Sequence, residues 1–260
     1  MIVTVHSPRG GVGTTTLAGH LAVQAARGGR RVGVADCCLR APDLHALFGV
    51  AATACLNDFL WHRCGIAEAA LDLGGDLPGP LPAGAGLYLL PASPAPGEIA
   101  RLLNDGLDPG RLARGLRQAM EVLALDLLIL DAPAGFGDDA VLAAALADCL
   151  LVLLPTEPQR HAGLDLTLLE RLEPARMLIV GNQAAPGLDV QACADAMAAS
   201  CRRPVAAILP RCDGIGPPGR SPRPGQSPAW TAFAAGLHRI ADLITEGRPS
   251  AGSHGKRMPA

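Results

Sequence analysis

Residues 9 to 16, Arg9-Gly10-Gly11-Val12-Gly13-Thr14-Thr15-Thr16, combine the residue types that hold an anion. Glycines let backbone amides wrap closely around an oxyanion with no Cβ in the way. Amides at a helix N-terminus add their partial positive charge. Thr15 supplies a hydroxyl of the kind that ligates Mg2+ beside a bound phosphate. Asp131 closes the apolar run 125–130 and offers a hard oxygen that would reach the same ion through water. Asp36 closes a second apolar run and, with Arg9, is a candidate for catalysis. The lysine that usually precedes the loop's hydroxyl residue is absent, and Thr14 holds its place. No other lysine stands in for it, because the only one in the chain is Lys256, close to the end.

Other residues capable of chemistry have blander expectations. The cysteines at 37, 38, 55, 64, 149, 193, 201 and 212 include no Cys-x-x-Cys pair, so no zinc or iron–sulfur spacing is present. They are expected as reduced, small apolar residues; Cys37-Cys38 stands out only for following Asp36. His6 is expected as a satisfied strand-end residue, with no phosphate role. Arg211, Arg220 and Arg223 lie in a Pro/Gly-rich stretch and are expected to be solvated, so DNA is not an expected partner.

The composition narrows the class. The 260 residues are 49% hydrophobic and 3% aromatic, with a net charge of −2. Such a chain buries a full α/β core of Leu, Val, Ala and Ile, and its charge exerts no global pull on nucleic acid or anionic lipid. The apolar start is too short for a secretion signal and lacks a basic leader. No apolar run is long enough to span a bilayer. A cytoplasmic protein is expected.

Strand and helix signals alternate, which predicts a parallel sheet covered on both faces. Strands are expected at 2–6, 31–35, 86–91, 125–131, 149–154, 177–180 and 205–209, with Asn182 just beyond the sixth and Pro210 closing the last. Helices are expected at 15–27, 96–104, 109–123, 138–147, 161–172 and 190–200, and short helices within 53–73. Residues 74–86 and 213–228 are Gly/Pro-rich loops. The segment 230–246 is amphipathic, with Trp230, Phe233, Leu237, Ile240 and Ile244 on one face. Because it also carries Arg239, Asp242 and Glu246, it is expected to pack on the core, so that membrane contact is absent or indirect. Residues 247–260 read as a disordered tail.

The loop at 9–16 resembles the deviant Walker A loop of the MinD/ParA family, Lys-Gly-Gly-x-Gly-Lys-Thr-Thr. The likeness continues through Val32–Asp36, the Leu-x-x-Leu-Pro-Ala segment at 87–92, and Leu128–Gly135, which resembles the family's Walker B strand. It implies a P-loop NTPase-type, mostly parallel twisted sheet with helices on both faces, as a single domain over residues 1–246. It implies ATP or ADP with Mg2+ as cofactor, held by Arg9, Gly10, Gly11, Val12, Gly13, Thr14, Thr15 and Thr16. Asn182 would meet adenine and Pro210 would line the base; Thr15 and Asp131 would hold the metal.

Three departures bear on mechanism. The family's two phosphate-serving lysines are replaced by Thr14 and by Arg9, the latter at the position that reaches across an ATP-sandwiched dimer. The family's Asp-x-Asp ending, whose second Asp helps place the attacking water, is Asp36-Cys37-Cys38 here. Loss of the loop lysine is similar to the CpaE/TadZ branch, which usually carries an extra N-terminal receiver-like domain not seen in this sequence. The resemblance implies a homodimerising nucleotide switch or scaffold that positions or assembles a cellular structure with a protein partner or cargo, recruited to a membrane or pole by that partner, with weak or lost hydrolysis. A nucleotide-independent scaffold, an active ATPase of cell division, pilus, flagellar or plasmid positioning, and a metal-centre maturation factor remain open.

Overall fold

The computed structural model describes residues 1–157, 166–220 and 228–245. Arg223, Glu246, Lys256, the expected tail and the first half of the expected helix 161–172 lie outside them. The described elements are β1 (Ile2–His6), α1 (Thr14–Arg27), β2 (Arg31–Asp36), α2 (Leu44–Phe48), α3 (Leu56–Leu60), β3 (Leu71–Asp72), β4 (Gly86–Leu90), α4 (Pro96–Asp105) and α5 (Pro109–Val122). They continue with β5 (Leu127–Asp131), α6 (Asp138–Ala145), β6 (Cys149–Pro155), α7 (Thr167–Glu170), β7 (Arg176–Ala184), α8 (Val190–Cys201), β8 (Val205–Pro210) and α9 (Pro228–Thr245).

The sheet runs β3-β4-β2-β5-β1-β6-β7-β8, and every pairing is parallel except β3 with β4. Alternate residues of each inner strand face opposite layers. Val3, Val5, Val34, Ile129 and Leu151 meet α1 and α9, while Leu128 and Leu130 meet α3 and α5. Leu150, Val152 and Ile179 meet α7 and α8. This is the expected α/β sheet with helices on both faces. Asp108 and Asp189 start α5 and α8 by accepting the amides of Arg111 and Ala192, the N-cap role that short acceptors fill.

Three local expectations are corrected. Within 53–73, α3 forms, but Leu71–Asp72 is a strand, paired with Tyr88 and Leu89. Two residues carry no readable periodicity, so neighbouring chain decides their state. The strand expected at 177–180 runs to Ala184, which puts Asn182 inside β7, beside Pro155. The expected helix over 161–172 is, in its described part, only the single turn α7.

The final helix lies on the core. Phe233, Leu237, Ile240 and Ile244 are buried in the layer with α1. His20 of α1 meets Trp230 and Phe233 edge-on, with ring centroids 5.6 and 5.7 Å away. Burial lowers the His20 pKa to about 4, against a favourable Gly216 backbone contact. Among the described residues no helix is long and apolar enough to cross a membrane. Ile240→Ala is expected to destabilise the protein by about 2–5 kcal/mol in urea unfolding, the cost of an unfilled core cavity; a helix not docked on the core would show almost none.

Candidate functional site

The loop after β1 turns on two glycines in the left-handed region, Gly11 at φ 73° and Gly13 at φ 94°. Gly13 is also the N-cap of α1, and no side chain caps that helix, whose first turn holds no acidic residue. The amides there are left for an external acceptor. A Cβ on Gly13 would stand 2.9 Å from the Asn182 amide nitrogen, whereas Gly10 and Gly11 face open space.

The loop is held from β7, two strands along the sheet from β1. Asn182 Nδ2 donates to the Val12 carbonyl at 2.8 Å, and Gln183 Nε2 donates to the Gly11 carbonyl at 3.1 Å. The register between β7 and β8 shifts between Gly181 and Ala184, and Gln183 takes φ 62°. That irregularity lets both neighbouring amides address one loop. Gln183 was not legible as a site residue, since nothing in its local sequence signals a left-handed turn. Beside this clamp a cleft of about 290 Å³ opens, lined by Gly13, Thr16, Asn182, Gln183, Pro210 and Phe233 among others. The structure thus brings Thr16, Asn182 and Pro210 together. Phe233 joins them from α9, a contact hidden in sequence because it depends on how the helix docks.

The strand order places the two carboxylates side by side. Asp36 and Asp131 are register partners at the ends of β2 and β5, and both are buried. Asp36 is committed to backbone: Oδ1 accepts from Cys38 N and Oδ2 from Leu44 N, each at 3.0 Å. It braces the loop between β2 and α2, so its expected catalytic part is joined by a structural one. Burial pushes its pKa up to about 6, against those amides and the charge of His45. Asp131 differs, because neither of its oxygens has a hydrogen-bond partner. Burial, then the Asp36 charge, pushes it up to about 8, while the Thr15 and Thr14 hydroxyls favour its ionised form.

The remaining candidates are placed as follows. Arg9 is exposed, and its guanidinium is in no hydrogen bond or ion pair among the described residues; its amide donates to Ser7 Oγ at 3.2 Å. Thr14 and Thr15 are half-buried at the start of α1. Cys38 occupies the edge of the carboxylate pair, with Sγ 3.8 Å from the Asp131 carbonyl. His6 corrects an expectation: it is fully buried, and neither ring nitrogen has a hydrogen-bond partner. Burial lowers its pKa to about 4, opposed only by the Pro133 backbone.

No family model matches the chain. The antiactivator FleN of Pseudomonas aeruginosa is 31% identical over 159 residues, 60% of this chain and 51% of FleN. An uncharacterised ATP-binding protein of Methanocaldococcus jannaschii is 28% identical over 156 residues, 60% of this chain and 53% of that protein. The chain spans about half the length of these curated relatives. The septum site-determining protein MinD of Pyrococcus horikoshii, solved in complex with Mg-ADP, shares the fold with a TM-score of 0.72 at 20% identity, over 94% of this chain and 97% of MinD. At 20% identity, what the chain shares with MinD is the fold.

The site fits a phosphate and a divalent cation on its own geometry. The amides at the start of α1 await an anion, and the unpartnered Asp131 oxygens await a cation or a proton. A proton is what the metal-free protein takes up. Because folding raises the Asp131 pKa from 3.8 to about 8, the stability this group contributes is complete below about pH 4 and is lost as pH rises through 8. Asp131→Asn should therefore stabilise the metal-free protein at pH 8 by on the order of 1–3 kcal/mol, each pH unit of that window being worth about 1.4 kcal/mol. Chemical denaturation should show the difference shrinking toward pH 5; a difference constant with pH would count against the buried-acid assignment.

Proposed function

We propose that this chain binds ATP or ADP with Mg2+, pairs with a second copy in response, and serves as a switch or scaffold that positions or assembles a cellular structure, with ATP hydrolysis weak or lost. The observation that carries this is the unpartnered buried Asp131 set beside an uncapped, glycine-entered helix N-terminus. The backbone of residues 10–16 would cradle the phosphates. Thr15 and Asp131 would hold the ion, Asp131 through water, and the ion would neutralise phosphate charge. The cleft bordered by Asn182 and Pro210 is where the base would lie, continuous with the loop through Gly13.

Hydrolysis fails for want of charge rather than shape. Thr14 offers no cation to the developing phosphate charge, and Cys38 is a poor acceptor for an attacking water. Each lost transition-state contact costs about 10²–10³ in rate. Arg9 is exposed, and its guanidinium is unengaged among the described residues, which supports a role in gripping the phosphates of a second copy bidentately. Similarity to an antiactivator and an ATP-binding protein, with a fold shared with a septum site-determining protein, supports a regulatory or positioning role. The apolar face of α9 is used within the core, so recruitment to a membrane or pole would go through a protein partner.

Isothermal titration with ATP and ADP in Mg2+ should show saturable binding that Gly13→Ala abolishes, since a Cβ there would crowd Asn182. Light scattering should show ATP-dependent dimers. Thr14→Lys should raise ATP turnover by about 10²-fold or more. An oligomeric state that ignores ATP, with no heat of binding, would favour a nucleotide-independent scaffold.

A further inference from the structure

Asp36, Cys38 and Asp131 each offer a ligand atom within 4.8 Å of the others, and they form the only such group of His, Cys, Asp and Glu donors among the described residues. A single ion with bonds of about 2.0–2.3 Å would draw three such donors together with small side-chain movements. The cluster is more than a patch of acids. Asp131 is buried at 1% exposure, and both its oxygens are without a partner. Asp36 spends one lone pair of each oxygen on Cys38 N and Leu44 N, and each oxygen retains a second. Asp43 adds further negative charge, and neither Asp36 nor Asp131 is in an ion pair among the described residues.

Cys38 changes what kind of ion this place prefers. Mg2+ asks for oxygens in near-ideal octahedral geometry and dehydrates reluctantly. A set of two carboxylates and a thiol instead suits a borderline ion, which binds thiolate sulfur and carboxylate oxygen together. Access is open on the Cys38 side, where a cavity of about 250 Å³ is lined by Cys38, Arg40, Pro133 and Asp139 among others. Three protein ligands would leave a fourth position open, beside the Thr14 and Thr15 hydroxyls.

We propose that Asp36, Cys38 and Asp131 form a divalent transition-metal site, selective for Zn2+ or Co2+ over Mg2+, in which Cys38 binds as thiolate. On binding, the metal–sulfur bond forms and the thiol proton leaves to solvent. The inference rests on Asp131 being a cation ligand, as proposed above, but needs no nucleotide.

The full chain, freed of metal and kept reduced without thiols, is titrated with Co2+ alone. One equivalent should bind with a thiolate-to-cobalt charge-transfer band in the near ultraviolet. Excess Mg2+ should fail to displace it, and Zn2+ should displace it stoichiometrically. Cys38→Ser should abolish the band and weaken Co2+ at least ten-fold. Cys38→Asp should keep a one-equivalent site, without the band, whose preference moves at least ten-fold toward Mg2+. A band that survives Cys38→Ser, Co2+ binding without the band in the unaltered chain, or no binding at all would overturn the inference. Nucleotide titration of the same sample keeps the two proposals apart: ATP binding without cobalt binding defeats this one alone, and cobalt binding without ATP binding defeats the other alone.

Discussion

Two carboxylates at the ends of adjacent buried strands set the terms for this site. Placing Asp36 and Asp131 in register costs desolvation and mutual repulsion, and the fold relieves only half of it. Asp36 is settled by two amides of the loop that follows it, so its charge stabilises a turn and the start of α2. Asp131 receives no such help. Its acceptor capacity is therefore held in reserve beside the glycine loop, and the chemistry proposed above spends that reserve.

Around the pair, the framework for an anion is complete while its counter-cation is missing. The left-handed glycines, the uncapped α1 and the two amide clamps from β7 are backbone features, indifferent to the side chain at position 14. A loop lysine would place a positive charge near Asp131; Thr14 leaves a hydroxyl there. Shape and charge have come apart at this site. The proposed combination of nucleotide binding with weak hydrolysis rests on that separation, since orientation draws on the former and transition-state stabilisation on the latter.

The sheet and its two helical layers were legible because long apolar strands alternate with amphipathic segments, and because glycines punctuate α1 at both ends. Loop, Asp36 and Asp131 were legible for the same reason: ligand positions in such sheets fall at strand C-termini. What escaped was decided by tertiary contact. Leu71–Asp72 is too short to carry a period. Gln183 reaches the loop only through an irregular strand with a left-handed residue that no glycine announces. Phe233 meets the cleft because of the way α9 docks. His6 reads as an ordinary polar strand end, and only the burial of its whole ring explains its suppressed basicity.

The strand order also governs when the site comes into being. β1 pairs with β5 and β6, whose residues follow it by more than a hundred positions. While the chain emerges during synthesis, α1 can already meet β2, α2 and β4, but β1 has no strand partner until β5 and β6 are available. Non-local parallel pairing of this kind is intrinsically slow, because loop closure precedes its reward. The glycine loop is therefore made well before the strands that fix its shape. An apolar strand waiting that long for its partners is a natural client for a chaperone.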